Sequence, residues 1–266
     1  MLNLMKIDDI DDNRVKIYHA LRENAFSHDN SFIADSPKVV NLLLESDKDI
    51  QINSLLATQE YYDEFKTLID SKDIPHLYLS SKEEMGKIVG HKIHHHCMMH
   101  GIRPQDTLLE NLGDTIIMLD NITSSENVGS IARSAAALGV QSYLLPTSSP
   151  HPFNRRALRV SMGHAILLKT HIYQDIFQTI RSLKSLGYKI FAAEVAPNAS
   201  FLNNIEVPTK WVLLMGHEGK GIAQEILEIC DEIVTIEMQK GIKSFNVAVA
   251  ASIILYKFQH NSPNTY

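Results

Sequence analysis

The stretch that most constrains the fold is the last fifth of the chain, where two short apolar runs are each followed by a polar loop containing glycine. The runs, at residues 211–215 and 233–236, are rich in Val, Ile and Leu and do not alternate with polar residues, as is typical of buried parallel strands. The loops that follow are residues 216–221 and 239–246. Parallel strands deliver such loops to the same edge of a sheet, where open α/β sheets bind ligands. The sequence therefore predicts a small-molecule site at this edge.

The rest of the second half alternates between strand and helix patterns. Strands are predicted at residues 115–119, 142–145 and 188–193, and helices at 128–138, 156–162, 175–186, 223–230 and from Ser244 onward. Such alternation implies a mostly parallel sheet covered by helices on both faces.

A smaller α/β pattern occupies the first part of the chain. It comprises predicted helices at residues 39–44 and 60–70, strands at 52–57 and 76–79, and a helix that begins at Ser81. We therefore divide the chain into four parts: a polar extension whose aspartates lie in solvent (1–30), a small α/β domain (31–103), a linker (104–114) and a larger α/β domain (115–266).

Charge is divided between the two halves. Residues 1–110 carry 12 Lys+Arg and 19 Asp+Glu, whereas residues 111–266 carry 13 and 12. A nucleic-acid-binding protein usually has a basic footprint, and none dominates this chain, so basic patches must be local. The densest is the cluster of Arg155, Arg156 and Arg159, which we expect to contact phosphate groups.

Composition excludes several classes of protein. No run approaches the roughly 20 apolar residues that span a bilayer, and the N-terminus lacks the features of a secretory signal. Two cysteines are too few for a disulfide framework and fit a reducing compartment. We expect a cytoplasmic protein that does not bind membranes.

Common nucleotide and nucleophile motifs are also absent. The first strand of the larger domain is followed by DNITSSENVG, which is not the G-x-G-x-x-G of a dinucleotide-binding fold. Loop 216–221 is followed by Ile222 and not by the Lys-Ser or Lys-Thr of a P-loop. The glycine loops, with an Asn, an Arg and further polar residues, suit an adenosyl-type ligand beside a phosphate-bearing partner. The residues alone do not name a reaction.

Three stretches resemble the ordered motifs of a known family. They are NITSSENVGSIARSAAALG (motif one, residues 121–139), LMGHEGKGI (motif two, 214–222) and IEMQKGIKSFNVAVAASIILY (motif three, 236–256). They are similar to the motifs of the SpoU/TrmH branch of the SPOUT RNA methyltransferases, and RRALRVSMGH (155–164) is also similar to that family. The resemblance implies a SPOUT-type parallel sheet with a C-terminal trefoil knot, and a homodimer. It also implies S-adenosylmethionine-dependent methyl transfer to a ribose 2′-hydroxyl of tRNA or rRNA, with no DNA substrate.

The resemblance also assigns roles to individual residues. The residues around the reacting ribose and the RNA would be Asn127, Arg133, Glu218, Ser244 and Asn246. The cofactor site would use Leu214, Gly216, Ile236, Met238 and Phe245, largely through the backbone. Apart from the resemblance, the basic cluster of Arg155, Arg156 and Arg159 is expected to contact the phosphates of the RNA. No residue is assigned to a metal.

Arg133 is often cast as the general base in this family. A guanidinium is effectively never deprotonated in a protein. We therefore expect Arg133 to clamp the adjacent phosphate and stabilise developing negative charge, while the proton leaves through phosphate or water.

Two further features bear on the substrate. The small first domain, with FIADSPKVVNLLLE at residues 32–45, resembles the RNA-recognising domain similar to ribosomal protein L30e that precedes the catalytic domain in many relatives. Histidines cluster with a cysteine at His91, His94, His95, His96, Cys97 and His100. They could supply zinc ligands, but no second Cys/His pair stands at finger spacing elsewhere. We expect a polar loop or an RNA contact there.

Two other functions remain open. The chain could be a non-catalytic RNA- or ribosome-binding protein that retains the fold, or an α/β protein that binds another nucleotide. Binding of S-adenosylmethionine separates these possibilities from the methyltransferase.

Overall fold

The computed structural model describes residues 4–19, 29–90 and 92–261. The chain divides into two compact units. The first comprises Met1–Gln105 and Phe153–Ile166, and the second comprises Asp106–Pro152 and Leu167–Tyr266. The first crossing between the units, between Gln105 and Asp106, falls inside residues 104–114, whose role as a linker stays a prediction. The segment Phe153–Ile166, which the sequence pattern assigns to the larger domain, belongs to the first unit.

The first unit contains a five-stranded mixed sheet. Its elements in chain order are β1 (Leu4–Lys6), β2 (Ser31–Asp35), α1 (Pro37–Glu45), β3 (Gln51–Ala57), α2 (Gln59–Asp70), β4 (His76–Leu79), α3 (Lys82–Val89) and β5 (Cys97–Ile102). The strand order is β1-β4-β3-β5-β2, and β5 runs antiparallel to both β3 and β2. The predicted helices and the two predicted strands are confirmed, whereas β2 and β5 were not predicted as strands.

The start of α3 shows how local sequence fixes an element. Ser81 Oγ accepts a hydrogen bond from Glu84 N–H at 3.1 Å, and Glu84 Oε2 accepts one from Ser81 N–H at 3.1 Å. This reciprocal capping satisfies two backbone donors that a helix leaves unpaired. The predicted helix start at Ser81 is confirmed.

The N-terminal residues correct the predicted polar extension. β1 pairs with β4, a short 3₁₀ helix spans Asn13–Tyr18, and Ile7, Val15 and Tyr18 are buried. The Tyr18 hydroxyl lies 2.8 Å from Ser54 Oγ on β3. The described part of the extension is therefore part of the first unit, because its few apolar side chains pack in a core cluster with Ile33, Leu56 and Tyr78. The rest of it, residues 1–3 and 20–28, lies outside the described residues.

The aspartates of that extension divide into two kinds. Asp8, Asp9 and Asp11 are exposed, as predicted, whereas Asp12 is half-buried. Asp12 Oδ1 accepts a hydrogen bond from Arg14 N–H at 2.9 Å. Asp12 therefore caps the 3₁₀ helix, a common use of aspartate at a helix start.

The second unit is built on a seven-stranded parallel sheet, and we number the elements from residue 115 onward in chain order. They are β6 (Thr115–Leu119), α4 (Ser125–Ala137), β7 (Ser142–Pro146), α5 (Arg155–Val160, in the first unit), β8 (Lys169–Tyr173), α6 (Ile176–Ser185), β9 (Lys189–Ala193), β10 (Ser200–Phe201), β11 (Trp211–Met215), α7 (Gln224–Leu227), β12 (Glu232–Thr235) and α8 (Val247–Asn261). The strand order is β10-β12-β9-β11-β6-β7-β8. The predicted parallel sheet is confirmed.

The register of the central strands places the loops. Met215 at the end of β11 is aligned with Leu119 of β6 and with Ala193 of β9. Because these parallel strands end together, the loops that follow them meet at one edge. The trefoil knot, which concerns how the chain threads through these loops, stays a prediction.

One further property of the helices concerns membranes. Within the described ranges, no helix has the length and apolar character that a membrane span requires.

Candidate active site

The loop that follows β11 is closed on itself by glycines. The N–H of Gly221 donates a hydrogen bond to the carbonyl oxygen of His217 at 2.9 Å. A Cβ built on Gly216 would lie 2.6 Å from both the carbonyl carbon of Gly221 and Cγ1 of Ile222. The backbone of Gly216 thus packs directly against the end of the loop, and only glycine fits there.

A cavity of about 330 Å³ lies at the carboxyl ends of β9, β11 and β12. Its walls come from these strand ends, from the loop after β11 and from the segment that leads into α8. Six of the predicted site residues line it: Gly216, Glu218, Ile236, Met238, Ser244 and Phe245. The structure therefore brings the two glycine loops together around one cavity, as the sequence predicted.

Leu214 occupies a different place from the other predicted cofactor residues. Its side chain is fully buried and belongs to the apolar core that includes Met118 and Ala192. Side chains alternate between the two faces of a strand, and it is the next residue, Met215, that lines the cavity.

Three predicted polar residues form one hydrogen-bonded chain. The Asn127 Nδ2 group donates to Glu218 Oε1 at 2.9 Å, and the Asn246 Nδ2 group donates to Asn127 Oδ1 at 3.2 Å. Glu218 also accepts hydrogen bonds from the backbone N–H groups of Ser124, at 3.2 Å, and Thr123, at 3.4 Å. One residue from each of the three motifs is thereby held in a single network.

The surroundings of Glu218 fix its charge. Burial acts to raise the pKa of this carboxyl, but the hydrogen bonds from Asn127 and from the Ser124 and Thr123 backbone outweigh it, so the pKa of Glu218 is lowered. Glu218 is therefore ionised at neutral pH. It acts as a hydrogen-bond acceptor that orients Asn127, and it holds no proton to donate.

Asn246 has a second role at the start of α8. Its Oδ1 accepts hydrogen bonds from the N–H groups of Ala248, at 2.9 Å, and Val249, at 3.3 Å, which is the geometry of a helix N-cap. The predicted helix from Ser244 onward thus begins at Val247. Capping fixes the rotamer of Asn246, and the Nδ2 group is thereby directed to Asn127.

Arg133 lies apart from this network. It is exposed on α4, whose buried face carries Val128, Ile131 and Ala132. Arg133 follows Asn127 by six residues, which places it about 120° round the helix and roughly 9 Å along it. It is not among the described residues that line the cavity.

The predicted RNA-contacting arginines lie on α5, in the first unit, and two of them are paired with a buried carboxylate. Arg155 Nε donates to Asp35 Oδ2 at 2.8 Å, and Arg155 Nη2 lies 2.7 Å from the same oxygen. Arg159 Nε lies 3.4 Å from Asp35 Oδ1. Only 2% of the Asp35 side chain is exposed, whereas Arg156 is exposed. Part of the basic cluster is thus engaged within the first unit.

The histidine cluster is a dispersed set of polar contacts. His91 lies outside the described residues. His96 Nδ1 lies 3.5 Å from Glu60 Oε2, and its Nε2 lies 3.3 Å from Lys82 Nζ. Burial lowers the pKa of His95 and of His100. Among the described residues, no three His, Cys, Asp or Glu side chains are grouped so that they could hold a metal ion.

Sequence reasoning missed Glu194, which follows β9 and lines the cavity. Its Oε2 accepts a hydrogen bond from Ile222 N–H at 2.9 Å. A Cβ on Gly221 would lie 2.2 Å from that oxygen, and φ at Gly221 is +67°. The Glu194 carboxylate therefore occupies the space that a side chain at residue 221 would need. A lone glutamate after a strand gives no signal of such a contact in the sequence.

The cavity fits an adenosyl-type ligand. Gly216 lines the cavity without a side chain of its own, Ile236, Met238 and Phe245 supply an apolar wall, and Glu194 supplies an acceptor. Flat apolar rings need such a wall, and a few placed polar groups fix orientation. The fold and the site therefore define an α/β protein with a cavity suited to a small adenosyl-type ligand, beside a polar cluster.

Comparison with known proteins agrees with this class. The model of the SpoU rRNA methylase family matches residues 114–256. An uncharacterized tRNA/rRNA methyltransferase of Mycobacterium bovis is 30% identical over 210 residues, which cover 77% of this chain and 73% of that protein. The 23S rRNA (guanosine-2′-O-)-methyltransferase of Neisseria meningitidis is 30% identical over 152 residues, 56% of this chain and 60% of that one.

A solved structure extends the likeness in fold to nearly the whole chain. The AdoMet-bound rRNA methyltransferase of Sinorhizobium meliloti superposes with a TM-score of 0.82 at 20% identity, and the match covers 97% of this chain and 98% of that one. This chain belongs to the SpoU rRNA methylase family.

A glycine-to-alanine change in the loop tests the fit. Gly216→Ala is expected to weaken binding of S-adenosylmethionine about 10- to 100-fold, because an added methyl in a packed site introduces roughly 1–3 kcal/mol of strain. Gly219→Ala is the matched control, since its Cβ would meet the His217 ring only at 3.8 Å. Calorimetry on both variants checks this, and equal losses would contradict the packing argument.

Proposed function

We propose that the protein transfers a methyl group from S-adenosylmethionine to a ribose 2′-hydroxyl of tRNA or rRNA. One observation carries this proposal. Glu218 both lines the cavity, together with Gly216 and Phe245, and belongs to the hydrogen-bonded network with Asn127 and Asn246. The names of the two relatives, a tRNA/rRNA methyltransferase and an rRNA guanosine-2′-O-methyltransferase, support the same substrate class.

The residues around the cavity would hold the cofactor. Backbone groups at Gly216, Ile236 and Met238 and the ring of Phe245 would contact it, and the glycine cradle lets the chain approach closely. When bound, S-adenosylmethionine supplies an electrophilic methyl group on a sulfonium. The protein's task is then to hold the acceptor oxygen in line with that methyl group, because positioning accounts for a large part of such rates.

The polar network suits that task. An asparagine amide carries two N–H donors, and Asn127 and Asn246 each use one in the network. Their remaining N–H groups would face the acceptor nucleotide. Because Glu218 and the α8 cap fix both amides, those donors are oriented before RNA arrives. Ser244, which lines the cavity, would add a hydroxyl beside them.

Arg133 would serve as a clamp on the phosphate next to the reacting ribose. Its planar guanidinium matches phosphate geometry and stays charged, so it stabilises negative charge that develops as the hydroxyl loses its proton. The proton itself would leave through phosphate or water.

We propose that the enzyme is a homodimer in which Arg133 acts on the partner's site. The exposure of Arg133, and its position on a different helix face from Asn127, support this arrangement. Val249 and Tyr256 on α8 are also exposed, at 47% and 58%, and would be covered in a dimer. The chain would thread the loops of the second unit as a trefoil knot.

Recognition of the RNA would involve the first unit. Its α5 carries Arg155, Arg156 and Arg159, and we propose that this cluster contacts phosphates. Asp35 holds Arg155 and Arg159 in fixed positions, so the helix would present a preformed surface. Both cysteines are free thiols, which fits the reducing environment of the cytoplasm, where we place the enzyme.

Two measurements test the proposed function. Calorimetry with S-adenosylmethionine is expected to give a heat of binding. Incubation of the protein and cofactor with RNA from a deletion strain is expected to restore a 2′-O-methyl group missing from that RNA. Absence of any binding heat would instead favour a non-catalytic RNA-binding protein.

A further inference from the structure

Glu194 is a hydrogen-bond acceptor at the cavity to which the proposed function assigns no group of the ligand. It follows β9, and its Oε1 and Oε2 accept hydrogen bonds from the N–H groups of Val195 and Ile222, each at 2.9 Å. It is half-buried and lines the cavity. One side chain thus joins the end of β9 to the end of the loop after β11.

These contacts leave Glu194 able to bind a ligand. An ionised carboxylate offers about four lone-pair positions, and the two backbone N–H groups occupy two of them. Because a carboxylate only accepts hydrogen bonds, the partner in the cavity must carry donors. The backbone contacts hold the oxygens in place, so little side-chain freedom is lost when such a partner binds.

The position of Glu194 indicates which donors it meets. β9 pairs directly with β11, the strand that carries the glycine loop. In dinucleotide-binding α/β folds, an acidic residue about 20 residues after the glycine loop accepts a hydrogen bond from the ribose 2′-hydroxyl. Glu194 precedes its glycine loop in sequence, but the pairing of β9 with β11 also brings an acid beside that loop. An adenosyl ligand has a ribose diol at its centre, between the adenine and the sulfur-bearing chain.

We propose that Glu194 binds the ribose hydroxyls of the adenosyl ligand while it fastens the loop at Ile222. This inference rests on the proposed function, since it takes the ligand to be S-adenosylmethionine. Gly221 is required for this arrangement, because its positive φ and its lack of a Cβ let the Glu194 carboxylate approach the loop.

If Glu194 has a purely structural role, the expected effect of its substitution on ligand affinity is different. If Glu194 only held the loop, its substitution would weaken every adenosyl ligand by the same factor. If it also binds the diol, the loss depends on whether the ligand carries the hydroxyls. A cycle that combines a residue change with a ligand change separates these cases.

The experiment measures binding of 5′-methylthioadenosine and of its 2′-deoxy and 3′-deoxy analogues by calorimetry. For the wild type, we expect removal of a contacted hydroxyl to weaken binding about 10- to 100-fold, as for a hydrogen bond to a charged group. For Glu194→Gln, we expect the three ligands to bind within a few-fold of one another. Glu225→Gln, an exposed acid on α7 outside the cavity lining, carries the same charge change and should behave as the wild type.

The outcomes are distinct. Equal hydroxyl preferences in the wild type and in Glu194→Gln would overturn the inference and leave the proposed function intact. Failure of the wild type to bind any of these ligands or S-adenosylmethionine would overturn both. The fluorescence of Trp211 and the melting temperature are recorded for each variant, so that any loosening of the loop in Glu194→Gln is detected. The hydroxyl preference is a ratio within one variant, so it stays informative at reduced overall affinity.

Discussion

Replacing Arg133 with alanine is expected to lower the rate of methyl transfer by about 100- to 1,000-fold, the effect of removing one preorganised group that stabilises developing negative charge. The affinity for S-adenosylmethionine is expected to stay unchanged, because Arg133 is exposed on α4 and outside the cavity lining. Single-turnover rates and calorimetry on the same preparation measure the two quantities separately.

Mixed dimers test which subunit supplies the guanidinium. Arg133→Ala and Asn127→Ala subunits are each expected to be nearly inactive. In a dimer of the two, the site with an intact Asn127 would receive the intact Arg133 of its partner. Random mixing should then restore about a quarter of the wild-type activity, since half of the dimers are mixed and each has one complete site. No recovery after verified subunit exchange would place Arg133 in its own chain's site.

The conservative variant tests the clamp itself. Arg133→Lys keeps the charge and loses the planar two-point contact with phosphate. We expect a large loss of rate at saturating RNA. Near-normal turnover with unchanged RNA affinity would mean that charge alone matters and that the clamp is the wrong description.

The sequence revealed the second unit well because its signals are local. Short apolar runs such as residues 211–215 bury on both faces of a parallel sheet, and glycine after a strand indicates a tight loop. The cavity lining at Gly216 and Phe245 followed from these signals and from the motif resemblance. β8 (Lys169–Tyr173) was missed because its sequence, KTHIY, mixes polar and apolar residues, as suits a strand at the edge of the sheet order.

What the sequence could not reveal depends on contacts between distant residues. Glu194 and Ile222 are joined by a single hydrogen bond, and no periodic pattern marks it. The assignment of Phe153–Ile166 to the first unit is of the same kind. Phe153 packs edge-on against Phe32 with ring centroids 5.1 Å apart, and Leu158 and Ile166 join the same core. The apolar pattern of a helix such as α5 is the same whether the helix packs on the sheet of its own domain or in the core of the other unit. The pattern therefore does not show to which unit the segment belongs.

The pairing of Asp35 with Arg155 makes a stability prediction for this segment. Arg155→Ala is expected to destabilise the first unit by about 3 kcal/mol, the lower end of the usual effect of removing one partner of a buried ion pair, because Arg159 Nε still lies 3.4 Å from Asp35 Oδ1. Asp35→Ala is expected to be milder. The arginine side chains are 23% and 35% exposed and can turn to water, whereas the Asp35 side chain is 2% exposed and cannot. The order of the two effects thus follows from which charge is left buried.

Hydrogen exchange followed by mass spectrometry measures how far Arg155→Ala and Asp35→Ala each destabilise the first unit. In Arg155→Ala, peptides from β2 and from Phe153–Ile166 should exchange faster. Trp211, the single tryptophan of the chain, lies in the second unit and should report an unchanged transition there. Removing both Arg155 and Asp35 should be less harmful than removing Arg155 alone, because no buried carboxylate then remains with only the more distant Arg159 beside it. If the double variant were the least stable of the three, the order predicted here would be wrong. The ion pair would then contribute net stability to the first unit, beyond the compensation of a buried charge.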